Sequence, residues 1–184
     1  MKNDPRQPPT RSYRMVARAE ASAAAEQRIL EAAVQLFGDR LYDHVSLQSI
    51  AELAGVTVPT VLRRFKSKEQ LFTASVASTS THIRAARSLA PVGDVEGVIE
   101  ILVGTYERWG DHVLNLLAQE GRSTMIRAAT DGGRTYHHAW VERTLGPCLG
   151  ELSPHERSAK LAQLIAVTDL YVWKVFRRDL GLSR

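Results

Sequence analysis

Apolar residues recur at helical spacing along most of the chain, and two short segments between residues 46 and 65 show it most clearly. In the first segment the apolar positions fall at i, i+3, i+4 and i+7, one face of an α-helix: Leu47, Ile50, Ala51 and Ala54. The second segment repeats the pattern with Val58, Val61, Leu62 and Phe65. Ser46 and Thr57 stand where N-caps stand, and Gly55 can end the first helix. The segments predict a helix-turn-helix that needs a third helix to pack on.

Longer helices are predicted on both sides of this pair, at residues 21–38, 67–89, 94–109, 111–129, 133–149 and 154–179. Ser67 and Gln70 form a capping box that opens the second of these. Breaks are placed at Gly110, at Gly132 with Gly133, and between Gly150 and Pro154. No segment alternates like a β-strand. The predicted fold class is all-α, with an N-terminal three-helix helix-turn-helix domain and a C-terminal helical domain.

The predicted helix at 154–179 carries apolar residues around nearly its whole circumference. A helix that is apolar on all sides must be buried on all sides. We expect one face to meet the core of its own chain and another face to meet a second copy, which makes this helix the interface of a homodimer. The alternative is a fully internal helix, which a domain of this size rarely accommodates.

The first residues of the chain differ in composition from the rest. Residues 1–21 are rich in Pro, Arg and Gln and are expected to be disordered, with Lys2, Arg6, Arg11, Arg14 and Arg18 forming a basic tail. Such a tail can reach a DNA groove, or it can be an ordinary ragged terminus. The predicted domains are this tail, a helix-turn-helix domain at 22–67 and a helical domain at 68–184.

Charge and cysteine content narrow the functional class only slightly. The net charge is +4, and residues 1–75 hold 11 Lys and Arg against 8 Asp and Glu. This bias favours phosphate binding at the N-terminal end, although it lies within ordinary scatter. A single cysteine, Cys148, excludes an internal disulfide and fits a reducing cytosol, and we expect a cytoplasmic protein. No segment has the length or pattern of a membrane span or a signal peptide.

Sites of catalysis are not indicated by any motif. The six histidines are scattered without an H-x-x-x-H spacing, which argues against a metal site. There is no glycine-rich phosphate loop, nucleophile elbow or carboxylate pair on an apolar helix face. We therefore expect a protein that is not an enzyme and needs no cofactor.

Three segments together resemble the N-terminal domain of TetR-type bacterial transcriptional regulators. They are Ile29-Leu30-Glu31-Ala32-Ala33 with Leu36-Phe37, residues 46–57, and Phe65-Lys66-Ser67-Lys68-Glu69-Gln70-Leu71. Their order and spacing match over about residues 22–75, and residues 173–181 also look like a segment found in some members. The resemblance implies a homodimer that binds a palindromic double-stranded DNA operator, usually as a repressor. It also implies a C-terminal ligand-binding and dimerisation domain, where a small molecule releases the DNA.

The resemblance also implies roles for individual side chains. The residues that would face bases are Gln48, Val58, Pro59, Thr60 and Arg63, and those that would contact phosphates are Thr57, Arg64 and Lys68. Arg63 lies on the side of its helix away from the apolar face and is long enough to form two hydrogen bonds with guanine. Lys68 stands in the first turn of the next helix, where amides and ammonium together favour an anion.

Three positions depart from the family pattern, namely Leu41, Val45 and Leu62, where a glycine, a threonine and a tyrosine are usual. These changes remove two hydroxyl contacts to DNA, which predicts weaker binding per half-site or greater dependence on the arginines. A separate alternative is a helical adaptor that uses the same amphipathic surfaces to bind another protein and no longer binds specific DNA, which would leave Arg63 and Lys68 unexplained. Family members often add a helix after this point. Either the dimer relies on the helix at 154–179, or the native protein is longer.

Candidates for a ligand pocket are polar or aromatic side chains on largely apolar helices. They are His82, Tyr106, Trp109, Met125, His137, Trp140 and Tyr171, with Tyr136 and Trp173 of the same character. Taken singly, each of them also suits an ordinary place in the core or the dimer interface. The sequence does not define the class of ligand.

Overall fold

The computed structural model describes residues 11–183 and is built from α-helices joined by short turns. The helices are α1 (Arg11–Asp39), α2 (Leu47–Ala54), α3 (Val58–Phe65), α4 (Lys68–Arg87), α5 (Val95–Leu117), α6 (Thr124–Leu145), α7 (Pro154–Val167) and α8 (Leu170–Lys174). Turns of 3₁₀ helix lie at Tyr42–His44 and Gly146–Leu149, and a π-helical turn, Val175–Asp179, follows α8. The prediction of an all-α fold is confirmed.

The N-terminal three helices and the start of α4 share one core, which we call the head core. Its buried members include Ile29, Leu36 and Phe37 of α1, Ile50 of α2, Val61 of α3 and Phe72 of α4. The Ser46 hydroxyl accepts from the Ser49 amide and caps α2, and Gly55 ends that helix with a φ of 65°. The predicted helix-turn-helix is therefore present, although the Thr57 side chain makes no capping hydrogen bond to α3.

The predicted disorder of residues 11–21 is wrong, because α1 already begins at Arg11. The segment contains three alanines and three arginines, and both residue types have high helix propensity. Helix formation there extends the packed part of α1 without any need for a buried face. Residues 1–10, the rest of the predicted tail, lie outside the described residues.

The C-terminal helices enclose a second core, which we call the C-terminal core. Val98, Leu102 and Tyr106 of α5 meet Trp140 and Val141 of α6, together with Leu170 and Trp173 of α8. The two cores are connected, since Ile126 of α6 is buried within the head core. Among residues 11–183 no helix is both long and apolar enough to cross a membrane.

Several predicted helix boundaries are wrong in this C-terminal part. Helix α5 runs through Gly110, and α6 runs through Gly132 and Gly133. The turn between them lies instead at residues 118–123, where the buried Gln119 accepts the Tyr42 amide hydrogen at 2.7 Å. Glycine in a helix costs about 1 kcal/mol, and packing across the domain easily exceeds that.

The predicted single helix at 154–179 is also divided. Helix α7 ends at Val167, and Asp169 caps α8 by accepting the Tyr171 amide hydrogen at 2.8 Å. The Thr168 hydroxyl hydrogen-bonds the Leu164 carbonyl at 2.6 Å, so side-chain hydrogen bonds compete with the regular ladder at this point.

Substitution of Gly110 tests why α5 contains a glycine at this position. A Cβ at this position would lie 2.5 Å from the Trp173 ring, whereas a Cβ at Gly104 on the same helix would meet nothing within 4 Å. We expect Gly110→Ala to lower the free energy of unfolding by about 1–3 kcal/mol through overpacking. Gly104→Ala should raise it by about 0.4–1 kcal/mol. Urea denaturation of both variants measures this, and two changes of the same sign would contradict the assignment.

Candidate nucleic-acid interface and internal cavity

Helix α3 is held by one face and exposed on the other. Val61 is 1% exposed and anchors α3 in the head core, while Arg63 and Pro59 are exposed on the outer side. Thr57 and Thr60 place their hydroxyl oxygens 3.1 Å apart at the start of the helix. This end of α3 therefore presents hydroxyl groups and a guanidinium, which are suitable donors and acceptors for base edges.

Helix α2 contributes a neighbouring polar side chain. Gln48 is exposed, and its amide nitrogen donates to Glu52 at 2.7 Å, one turn further along α2. Val58 is half-buried and packs against the head core, so its side chain is only partly available to a base. Helix α1 braces the arrangement, because Arg28 donates to the Ala54 carbonyl at the end of α2 at 3.1 Å.

Arg64 differs from Arg63 in its surroundings. Its guanidinium forms an ion pair with Glu26 at 3.3 Å and donates to the Ser22 hydroxyl, so that it joins α3 to α1. Its side chain is only 25% exposed. The structure thus gives Arg64 a bracing contact that the sequence did not predict.

Lys68, Tyr42 and Glu69 form a small cluster at the start of α4. The Lys68 ammonium lies 4.1 Å from the centre of the Tyr42 ring, and the Tyr42 hydroxyl donates to Glu69 at 3.3 Å. Burial and the Glu69 carboxylate raise the pKa of Tyr42 to about 12, so this phenol stays neutral. Ser67 caps α4 by accepting from the Gln70 amide.

Lys66 is a candidate that the sequence analysis missed. It has a φ of 63°, and its ammonium donates to the Arg63 carbonyl at 3.2 Å, at the C-terminal end of α3. An exposed lysine beside Arg63 adds positive charge to this surface. In the sequence Lys66 lies between residues of the family motif, and this position could have identified it as a candidate for DNA contact.

The positions that depart from the family pattern lie in different environments. Val45 is 1% exposed and belongs to the head core, whereas Leu62 is 38% exposed on α3 and Leu53 is 49% exposed on α2. An apolar side chain at Leu62 offers no hydrogen bond to a phosphate. The outer face of the helix-turn-helix therefore combines polar groups with two exposed leucines.

A cavity of about 350 Å³ lies between α1, α4, α5, α6 and the junction of α7 with α8. Of the predicted ligand residues, Tyr106, Trp109, His137 and Tyr171 line it, as does Tyr136. Its volume falls within the range of small-molecule pockets, about 300–1,000 Å³. The structure therefore brings four of the seven candidates to one place.

The other candidates lie elsewhere. Trp140 is 1% exposed within the C-terminal core, and Met125 packs against the head core. The exposed ring of His82 lies 5.9 Å from the Trp109 ring, and its Nδ1 donates to the Ser78 carbonyl at 2.9 Å. Trp173 fills the space beside Gly110 and donates to Glu107 at 3.0 Å.

A chain of buried hydrogen bonds connects α4, α6 and α7 beside the cavity. Arg87 can only donate, so its contact with His137 Nδ1 at 3.3 Å makes that nitrogen the acceptor and leaves the proton on Nε2. His137 Nε2 then donates to the Thr168 hydroxyl at 3.3 Å, which donates to the Leu164 carbonyl. Burial, then the charge of Arg87, lowers the pKa of His137 to about 4, which fits a neutral imidazole.

Arg87 and Thr168 were not predicted as site residues. The Trp140 indole donates to the Arg87 carbonyl at 2.9 Å, and the Tyr106 hydroxyl donates to the Thr168 carbonyl at 2.9 Å. Their partners lie 53 and 62 residues away in the sequence. Since Arg87 stands near the end of a predicted helix, its sequence context was typical of a solvated arginine.

The His137 environment makes stability depend on pH. Because its folded-state pKa lies near 4 and its ordinary value is 6.5, the unfolded chain binds a proton first as the pH falls. This group should therefore lower the free energy of unfolding by about 2 kcal/mol between pH 7 and pH 5, with no effect above pH 7. Urea denaturation of wild type and His137→Gln at both pH values measures the difference. Equal pH dependence of the two proteins would contradict this, and His138→Gln, which changes an exposed neighbour, should behave as wild type.

Helix α5 also contacts the end of α1 directly. Asn115 donates to the Phe37 and Arg40 carbonyls at 3.1 and 2.9 Å, and His112 lies 3.2 Å from Asp39. His112 also lines the cavity. The same helix thus borders the cavity and holds the C-terminal end of α1.

Comparison with known proteins identifies the N-terminal part of the chain. Residues 29–74 match the family profile described as bacterial regulatory proteins, tetR family. The matched range extends from the buried half of α1 through α2 and α3 into α4. A comparison with curated protein sequences finds no match.

Two solved structures resemble this chain over most of their length. The HlyIIR mutant protein carrying a GSSGSSG linker aligns with a TM-score of 0.57 at 16% identity, covering 87% of this chain and 90% of that chain. A protein described as a transcriptional regulator from Pseudomonas aeruginosa PAO1 aligns with a TM-score of 0.57 at 18% identity, covering 80% and 76%. At these identities the likeness establishes the fold.

Proposed function

We propose that the chain is a member of the tetR family of bacterial regulatory proteins, whose profile matches residues 29–74, and that it is a homodimeric repressor that binds a palindromic operator and is released by a small molecule. The observation that carries the DNA-binding role is the exposed outer face of α3, fixed by Val61 in the head core and braced by Arg28. An exposed helix of this kind enters the major groove in helix-turn-helix proteins. Such a repressor acts on the nucleoid in the bacterial cytoplasm.

The proposed contacts divide into base edges and phosphates. Arg63, Thr60 and Gln48 have exposed or half-buried polar ends that suit base edges. Pro59 and Val58 offer apolar contact to a thymine methyl group. The proposed contacts to phosphates are made by Thr57, Lys68 and Arg64. The Arg64 guanidinium is shared with Glu26.

The proposed dimer uses the C-terminal helices. A series of large apolar side chains there is exposed in one chain, namely Val167, Tyr171, Val175, Phe176, Leu180 and Leu182. A patch of this kind marks an interaction surface. To read two half-sites one turn of B-DNA apart, two copies joined through it must hold their α3 helices about 34 Å apart.

Mutation of this surface tests the dimer. We expect the double variant Val175→Glu with Phe176→Glu to sediment as a monomer, because two carboxylates would be buried without partners. Leu53→Glu is the matched control, since it places a carboxylate on an exposed apolar residue of α2 and should leave the mass unchanged. Sedimentation velocity at micromolar concentration measures both. A wild type that is monomeric, or a double variant that remains dimeric, would exclude this interface.

The proposed ligand response follows from which helices border the cavity. Helix α4 starts directly after α3 and lines the cavity with Phe72, Val76 and Ile83, while α5 lines it and holds α1 through Asn115. A ligand that moves α4 against α5 would shift the head. In a dimer this changes the separation of the two α3 helices and lowers the affinity for both half-sites at once.

Salt dependence distinguishes this proposal from a protein-binding adaptor, which the exposed Leu53 and Leu62 would favour. We would measure the affinity for a 40-base-pair duplex of arbitrary sequence at 50 and 200 mM salt. A DNA-binding protein that neutralises several phosphates should bind roughly 10³ times more weakly at the higher concentration. Absence of binding by the folded chain at 50 mM would reject DNA binding and support the adaptor.

A further inference from the structure

A buried arginine with no acidic partner lies at the cavity wall. Arg87 is 4% exposed, lines the cavity, and has no carboxylate in ion-pair contact among residues 11–183. Its Nη1 donates to His137, and its Nε has no hydrogen-bond acceptor. The guanidinium lies 5.0 to 5.9 Å from the ring centres of Trp140, Tyr106 and Tyr136.

The neighbouring groups reduce the cost of this charge but do not neutralise it. Aromatic faces attract a cation, and a neutral imidazole accepts one hydrogen bond, yet the site keeps a full positive charge away from water. A buried ion without a counter-charge costs several kcal/mol. An anion brought into the cavity would therefore gain strongly from Arg87.

Asp169, which lines the cavity, and the carboxylates of Glu120 and Asp131, which lie beside its wall, each have partners of their own. Asp169 lines the cavity, but its carboxylate accepts the Tyr171 amide hydrogen and caps α8. Glu120 and Asp131 both pair with Arg134, another arginine of the wall, at 2.7 and 2.9 Å. Arg84 is exposed, with its guanidinium 4.1 Å from the Tyr136 ring. Among the described cavity residues, Arg87 thus combines deep burial with an available donor.

We propose that the ligand of this cavity is an organic monoanion, a carboxylate on an apolar or aromatic body, whose carboxylate binds Arg87. A guanidinium presents pairs of parallel N–H donors that match the two oxygens of a carboxylate. The apolar body fits the remaining wall, which includes Phe37, Phe72, Val76, Tyr106, Val113 and Leu116. This inference rests on the proposed effector role of the same cavity and adds its chemical class.

Matched pairs of charged and neutral compounds test the proposal on the full chain. We would titrate 2-naphthoate against 2-naphthamide, octanoate against octanamide, and 4-phenylbutyrate against 4-phenylbutyramide by calorimetry at pH 7.5. At least one carboxylate should bind ten times or more tightly than its amide, which corresponds to about 1.4 kcal/mol. Equal binding within every pair, tighter binding of the amides, or no binding by any carboxylate at 1 mM would overturn the proposal.

Variants at Arg87 identify the group responsible. Arg87→Met keeps an apolar stem of similar length and should lose the preference for the carboxylate, whereas Arg84→Met should retain it within threefold. If Arg87→Met does not fold, Arg87→Lys keeps the charge and should keep part of the preference. A preference that survives unchanged in a folded Arg87→Met protein would overturn the role of Arg87.

The outcome is separable from the fate of the proposed repressor function, because binding is measured without DNA. A carboxylate that binds selectively but leaves DNA affinity unchanged would support this inference and contradict release by a ligand. DNA binding without any carboxylate preference would support the repressor and reject the inference.

Discussion

Arg63→Ala is expected to lose most of its preference for the correct operator sequence while keeping the fold. Arg63 is exposed on α3, and its carbonyl, rather than its side chain, accepts from Lys66. Removal of a guanidinium that donates two hydrogen bonds to guanine should cost about 1–3 kcal/mol per half-site. Because a dimer reads two half-sites, the effect on the full operator counts twice. Affinities of wild type and variant for the operator and for single-base variants measure it.

Lys68→Ala is the matched control for this experiment. Its ammonium lies at the start of α4 over Tyr42, where a phosphate contact is expected and a base contact is not. The variant should weaken binding to all sequences about equally and reduce the salt slope by about 1. If Arg63→Ala weakens all sequences equally, or Lys68→Ala changes base preference, the two roles are assigned incorrectly.

Trp140→Ala is expected to have the largest effect on stability. The side chain is 1% exposed in the C-terminal core, and its indole donates to the Arg87 carbonyl at 2.9 Å. Removal of a buried tryptophan side chain costs about 3–5 kcal/mol, a large part of the stability of a typical domain. Chemical denaturation followed by circular dichroism measures the change.

Trp140→Phe separates packing from the hydrogen bond. It keeps an aromatic ring but leaves the Arg87 carbonyl with the Ala90 amide, at 3.3 Å, as its remaining donor, and for the lost hydrogen bond we expect a loss of about 0.5–1.5 kcal/mol. Trp109→Ala, at a half-buried position of the cavity wall, should cost less than Trp140→Ala. A Trp140→Ala protein as stable as wild type would show that α6 is anchored in some other way.

The helix-turn-helix was predictable because the residues that determine it are close together in the sequence. Ser46 caps α2 three residues before its partner, and Gly55 adopts the left-handed conformation that ends the helix. The apolar spacing in α2 and α3 indicates only an amphipathic helix, because a segment this short buries a single face. Local signals therefore located α2, α3 and the start of α4 within one or two residues.

The C-terminal boundaries depended on contacts between distant residues. Gly110 lies inside α5 because Trp173, from another helix, occupies the space where a side chain would stand. The missed turn between α5 and α6 is fixed by Gln119, which reaches Tyr42 across 77 residues. A glycine in the sequence is compatible both with a close approach of two helices and with the end of a helix, so it did not locate the boundary.

The cavity was only partly predictable for the same reason. Aromatic side chains on apolar helices indicated Tyr106, Trp109 and Tyr171, which line the cavity, but they indicated Trp140 equally, and it lies in the core. Arg87 and His137 come together from α4 and α6, 50 residues apart. Whether an arginine is solvated or buried depends on this pairing, which sequence periodicity does not report.

The most direct test of the proposed function is selection of bound duplexes from a random DNA pool with the full-length protein. A dimeric repressor predicts an enriched inverted repeat whose half-site centres are about 10 base pairs, or a multiple of that distance, apart. The affinity for the selected duplex should exceed that for random DNA by at least roughly 10³-fold. A folded protein that enriches no sequence would contradict the account and direct the search to protein partners.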